Sequence, residues 1–327
     1  MKLLIFGAGV IGTMHAWALE GAGHSVSLLV RHGHEDRWTN GIELQILDGR
    51  GAHATEVKTT YRPHVVTSFT PYDGYDVVIE AVRYTQTDEV LPELVANLGA
   101  AILLFFNNNW RGLESIDRVL PKARYVLGMP RAGGVMANGV LNGAIDGPVI
   151  LGASTSGHSA PPDSEAVARR NLESVAGLFR NAGFAPDVQE NMEHWYWVHF
   201  ASTATWTGAS AKAGGFGFAR STGAIHEALV AGREAMDVCR ARGVDIRKFD
   251  EARPFLQPPW LMAPLLRRLM TRDLTTRGAQ TQADYAPEFQ RIYQDVVETG
   301  RQSNVGMPHL EAFRACVDAT GKEVRAA

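Results

Sequence analysis

Three glycines near the start of the chain have the spacing of a phosphate grip. The stretch KLLIFGAGVIG, residues 2–12, runs from an apolar segment into Gly7, Gly9 and Gly12. The pattern follows a candidate strand and opens a candidate helix, and a second apolar run starts at Ser25. That is the context a dinucleotide-binding fingerprint requires. Gly7 permits the tight turn, Gly9 lets the backbone approach a pyrophosphate, and Gly12 lets the helix pack close to the strand. The first N–H groups of the helix, from Val10 and Ile11 onward, would face an anion with partial positive charge. The competing reading is a glycine-rich structural turn.

The second apolar run, SVSLLV, ends on Arg31, with His32 and His34 close by. An acidic residue at such a strand end holds a ribose 2′-hydroxyl, whereas a basic one accepts a 2′-phosphate. Arginine can do so bidentately. Arg31 therefore points to NADP(H) rather than NAD(H); the alternative is a solvated arginine at a strand end. Farther along, His199, Thr203 and Thr207 recur at i, i+4 and i+8, so a helix carries them on one face. They interrupt a stretch rich in aromatics: Trp195, Trp197, Phe200 and Trp206. Apolar walls tune a titratable group, and a protonated imidazole can protonate a developing alkoxide near neutrality. Equally, a histidine among aromatics can be a satisfied core residue, and a mid-helix threonine often bonds its own backbone.

The elements that must position these groups divide the chain. Short apolar runs at Leu3–Phe6, Ser25–Val30, Asp76–Val82 and Ala101–Phe106 read as strands, with Arg124–Gly128 and Pro148–Leu151 as a fifth and sixth. Several lack strict alternation, as parallel strands covered on both faces do. A helical stretch at Val10–Glu20 separates the first two. Such alternation predicts an α/β fold, an N-terminal Rossmann doubly wound parallel sheet. The Ser-, Gly- and Pro-rich stretch 154–163 is a loop, and an amphipathic helix at 164–181 follows on Ala168, Leu172, Val175 and Phe179. From Glu190 onward the patterns are helical, at about 190–212, 222–242, 259–271, 287–303 and 308–320. The expected division is an NADP-binding Rossmann domain at 1–187 and a C-terminal all-helical substrate domain at 188–327.

The composition suits two globular domains: 327 residues, 45% hydrophobic, 20% charged. A net charge of -3 gives no footprint for nucleic acid or an acidic membrane. No segment reaches the apolar length of a membrane span, and no secretory signal fits ahead of the first strand, so a cytoplasmic location is expected. Cys239 and Cys316 fall in helical segments without metal-ligand spacing. They predict buried thiols, no disulfide framework and no metal site.

The stretch GAGVIGTMHAWALEGAGHSVSLLVR, 7–31, resembles the opening of the ketopantoate reductases (2-dehydropantoate 2-reductases). AVRYTQTDEVLPEL (81–94), FFNNNWRGLESI (105–116), YWVHFASTATWT (196–207), PEFQRIY (287–293) and NVGMP (304–308) are similar, in order, to later segments of that family. The resemblance implies NADPH-dependent reduction of a 2-oxo acid or related ketone in a cleft between the two domains. It implies Asn108 as a cofactor-site and catalytic asparagine, and Glu288 as a catalytic, substrate-contacting glutamate. Thr276 falls near a substrate-binding serine, and Arg83 takes the place of a cofactor-side lysine. Thr203 and Thr207 replace two substrate-binding asparagines. The family's catalytic lysine is absent: His199 stands in its place and becomes the candidate proton donor. Lys212, the only lysine between 190 and 240, lies farther along the same helical stretch. The expected partners are a small 2-oxo acid or ketone, with a homodimer as the candidate assembly. Two other readings stay open. One is an opine- or 3-hydroxyacid-type dehydrogenase, a class that commonly presents a histidine with a carboxylate partner on a helical domain. The other is a non-catalytic NADP(H)-binding regulator.

Overall fold

A computed structural model describes residues 1–107, 109–154, 162–279 and 286–326. It divides into two compact units, Met1–Glu193 and His194–Ala327. Among the described residues the first unit holds ten strands. They are β1 (Lys2–Phe6), β2 (Ser25–Leu29), β3 (Ile42–Gly49), β4 (Thr55–Tyr61), β5 (His64–Val66), β6 (Val77–Glu80), β7 (Ile102–Phe106), β8 (Tyr125–Ala137), β9 (Val140–Ala153) and β10 (Ala185–Val188). Its helices are α1 (Val10–Gly21), α2 (Asp36–Thr39), α3 (Thr87–Asn97), α4 (Glu114–Asp117) and α5 (Pro162–Asn181).

All ten strands join one sheet, in the order β4-β3-β9-β8-β7-β6-β1-β2-β5, with β10 on β9. From β7 to β5 every pairing is parallel, which is the expected Rossmann block. Leu3, Leu4, Ile5, Leu28, Val77, Ile79, Leu103 and Leu104 are all fully buried, because both faces of these strands are covered. The core includes Met14 and Leu19 of α1, and Val175 and Phe179 of α5. The rest of the sheet is mixed. The runs read at Arg124–Gly128 and Pro148–Leu151 are the two ends of a long antiparallel hairpin, β8–β9. Its turn is Asn138-Gly139, with φ of 52° and 77°, the left-handed pair of a two-residue hairpin loop. β3 and β4 form a second antiparallel pair, attached through β3 to β9 in parallel.

His15 of α1 is one of the buried polar residues of this unit. Its ring stacks on Phe184 at 5.5 Å, meets Phe106 edge-on at 5.0 Å, and its Nδ1 donates to the Ile11 carbonyl at 2.8 Å. Burial lowers its pKa from 6.5 to about 4, against the opposing backbone hydrogen bond and with a smaller push from the Arg50 charge. Arg50 makes a fork on Asp48 (2.9 and 2.7 Å), donates to the Ala182 carbonyl at 2.8 Å, and lies over Trp17 and Phe184.

Among its described residues the second unit has helices and no strand. It contains most of α6 (Met192–Ala213), then α7 (Thr222–Ala241), α8 (Arg253–Leu256), α9 (Pro259–Met270), α10 (Asp273–Gly278), α11 (Ala286–Gln302), α12 (Pro308–Glu311) and α13 (Arg314–Ala326). The helix read at 287–303 is α11, and it buries Ile292, Tyr293, Val296 and Val297. The segment read at 308–320 is two helices rather than one. Cys239 is buried in α7, and burial pushes its thiol up to about 12. Cys316 differs from expectation: it is only half-buried. Both thiols are free. Among the described residues no helix is long and apolar enough to cross a membrane, and no three His, Cys, Asp or Glu side chains group as metal ligands.

Candidate active-site groups

The glycine motif occupies the junction of β1 and α1. Gly7 has φ of +122°, and a Cβ there would lie 2.8 Å from the Ala81 carbonyl oxygen. A Cβ on Gly12 would lie 2.0 Å from the Gly7 carbonyl oxygen, so that position admits no side chain. Gly9 is the exposed N-cap of α1 and offers no side-chain cap. The helix's first internal bond runs from Thr13 N–H to Gly9 O at 2.9 Å. The N–H groups of Val10, Ile11 and Gly12 therefore have no acceptor within the helix. No acidic side chain occupies the first turn. Tight glycines, open donors and the helix dipole fit a bound pyrophosphate.

Arg31 lies two residues past β2 and Arg83 three past β6, both exposed. The strands β6, β1 and β2 are adjacent and parallel, so the grip and both arginines share the carboxyl edge of the sheet. That edge is where open α/β sheets bind ligands. Arg31 opens a turn in which its carbonyl accepts the His34 N–H at 3.0 Å.

Asn108 lies outside the described residues. Its neighbour Asn107, which sequence reasoning did not single out, closes a buried polar cluster. Asn107 Nδ2 donates to Glu80 Oε2 at 2.6 Å and to Thr87 Oγ1 at 2.7 Å, and Thr87 Oγ1 donates to Glu80 Oε1 at 3.1 Å. Glu80 has no exposed surface. Its signal in the sequence is an acid directly after the apolar run VVI, 77–79.

In the second unit α6 carries His199, Thr203 and Thr207, as the spacing predicts. His199 Nδ1 lies 2.9 Å from Glu251 Oε1, and its ring stacks on Trp195 at 4.9 Å with 10° between planes. The two side chains keep 25% and 29% of their surface exposed. A carboxylate only accepts, so Nδ1 carries the hydrogen and Nε2 is the nitrogen left for other chemistry. Glu251 was not legible as a partner, being 52 residues away in sequence. Thr207 Oγ1 donates to the Thr203 carbonyl at 2.8 Å, the local helix bond of the alternative reading. Thr276 is half-buried in α10, and Glu288 is buried in the first turn of α11. Lys212 is exposed and ion-pairs with Glu227.

Residues 3–155 match the family model described as ketopantoate reductase PanE/ApbA. A curated 2-dehydropantoate 2-reductase of Pyrococcus abyssi is 24% identical over 200 residues, which span 61% of this chain and 59% of that protein. Among solved structures, a 2-dehydropantoate 2-reductase of Geobacter metallireducens GS-15 superposes with a TM-score of 0.71 at 16% identity, over 98% of this chain and 99% of the other. The ternary structure of a D-mandelate dehydrogenase with NADH and anilino(oxo)acetate gives 0.72 at 15% identity, over 99% of both chains. At these identities the two structures speak for the fold.

Proposed function

For a chain whose residues 3–155 match the family model described as ketopantoate reductase PanE/ApbA, we propose an NADP(H)-dependent oxidoreductase that reduces a small 2-oxo acid or related ketone. The observation that carries the reading is the His199–Glu251 pair, stacked on Trp195, on the helix where the family's catalytic lysine would fall. When bound, the nicotinamide supplies the hydride. The chain's own task is then to protonate the oxygen on which charge develops. His199 delivers that proton from Nε2, while Glu251 accepts the Nδ1 hydrogen and holds the ring in place. Trp195 fixes the plane of the ring. Asn108 and Glu288 act as anchors for carbonyl and substrate, with Thr203, Thr207 and Thr276 around the substrate. Gly7, Gly9, Val10, Ile11 and Gly12 receive the pyrophosphate. Arg31 receives the 2′-phosphate and Arg83 a further cofactor contact.

The same His–carboxylate pair favours one second reading, an opine- or 3-hydroxyacid-type dehydrogenase. A steady-state screen of 2-oxo acids with NADPH and with NADH, in the presence and absence of amines, separates the two. With the best substrate, His199→Ala is expected to lower kcat by about 10²- to 10⁴-fold. Wild-type turnover in that variant removes His199 from the chemistry. Cofactor binding without turnover of any carbonyl leaves the regulator reading.

A further inference from the structure

A carboxylate with no exposed surface sits at the last position of β6, directly before the Ala81 carbonyl that abuts Gly7. In register it lies between Phe6 of β1 and Phe105 of β7. A strand end in that place needs no charge to pack, and burying one is unfavourable unless donors meet it. Two groups that donate to it are Thr87, the first residue of α3, and Asn107, the first residue past β7.

The hydrogen-bond roles are fixed by chemistry. An ionised Glu80 only accepts, so the Thr87 hydroxyl gives its hydrogen to Oε1 and accepts one N–H of Asn107. The other N–H goes to Oε2. Flipping the amide would set oxygen against oxygen. Both donors of Asn107 are thus committed, and its Oδ1 remains as an acceptor. The sheet order places this cluster on the opposite side of β1 from Arg31. If Arg31 takes the adenosine 2′-phosphate, the cluster borders the nicotinamide half.

Resting on the cofactor reading above, we propose that Glu80 is a positioning residue for the nicotinamide half of the cofactor. Acting through Thr87 and Asn107, it holds the strand end, the start of α3 and the loop after β7 in one arrangement. It also orients Asn107 to accept a hydrogen bond from a ribose hydroxyl or the carboxamide N–H.

The test compares NADPH with 2′,5′-ADP, which keeps the adenosine end and lacks the nicotinamide. Glu80→Gln replaces one acceptor oxygen by an amide donor, so either Asn107 Nδ2 or Thr87 Oγ1 loses its acceptor. It is expected to raise the Kd for NADPH about tenfold and leave that for 2′,5′-ADP within about twofold. The exchange E80Q/N107D restores donor to acceptor and is expected to recover most of the loss. Thr87→Val, which removes only the hydroxyl, supplies the same comparison if Glu80→Gln does not fold. Wild-type NADPH affinity in the folded variants overturns the proposal. So does an equal loss for both ligands, or a double variant no better than the single one. Failure of the unaltered protein to bind either ligand instead overturns the cofactor reading itself.

Discussion

Acidification should load one particular residue with strain that neutral conditions spare it. His15 is buried among Phe106, Phe179 and Phe184, and its pKa is lowered from 6.5 to about 4. A depressed folded-state pKa means that the unfolded chain takes the proton first. The stabilising contribution is complete above about pH 6.5, falls as pH drops toward 4, and levels off below that. The full difference of 2.5 units corresponds to about 3.4 kcal/mol at 1.36 kcal/mol per unit, and about 2 kcal/mol of it is lost by pH 5. His15→Asn isolates the effect, since asparagine can donate to the Ile11 carbonyl but takes up no proton. Opening free energies of β1 amides from native-state hydrogen exchange, corrected for intrinsic rates, read this unit alone. The variant is expected to be less stable at pH 7.5, with the gap narrowing by about 2 kcal/mol at pH 5. Other titrating groups cancel in the difference. A gap that stays constant over that range would refute the reasoning.

Gly12→Ala should abolish detectable NADPH binding and destabilise the first unit by about 1–3 kcal/mol, since the new methyl would meet the Gly7 carbonyl; thermal melts and a cofactor titration check both. Arg31→Ala should weaken NADPH about tenfold or more while changing NADH little, and equal losses in the two titrations would discredit the 2′-phosphate assignment. Arg50→Lys keeps the charge but loses the fork on Asp48 and the bond to the Ala182 carbonyl, at about 1–3 kcal/mol by urea denaturation. A chromogenic thiol reagent should titrate Cys316 in the native protein and reach Cys239 only on unfolding, because Cys239 is buried with its thiol pushed up to about 12.

The parallel block was legible because its strands are unbroken apolar runs, and α5, α7 and α11 because their apolar residues keep helical spacing. The β8–β9 hairpin was not, although Asn138-Gly139 is a hairpin turn signal. Gly128, Gly133, Gly134, Gly143, Gly147 and Gly152 give these strands the composition of loops. Two of those glycines have a packing cause: a Cβ on Gly134 would lie 2.3 Å from the Asn142 carbonyl oxygen, and one on Gly143 2.3 Å from that of Gly133. β4, TEVKTTY, is a polar edge strand and shows no apolar run. In the candidate site, local spacing found the glycine grip and the His199 face. It could not find Glu251 or the Glu80 cluster, whose partners come from separate elements.

One edge of β9 serves two clients. Val140–Asp146 pairs with β3, and Pro148–Leu151 pairs with β10, the change falling at Gly147, while the opposite edge is taken by β8. β9 is therefore the splint of this sheet. The β3–β4 ribbon, made early in the chain, has no other strand to hold it among the described residues. Until residue 153 has left the ribosome, that ribbon and the outer edge of β8 stand bare, each a template for pairing with a foreign chain. A fragment cut before β9 should accordingly clump rather than fold, even though the whole glycine motif precedes the cut.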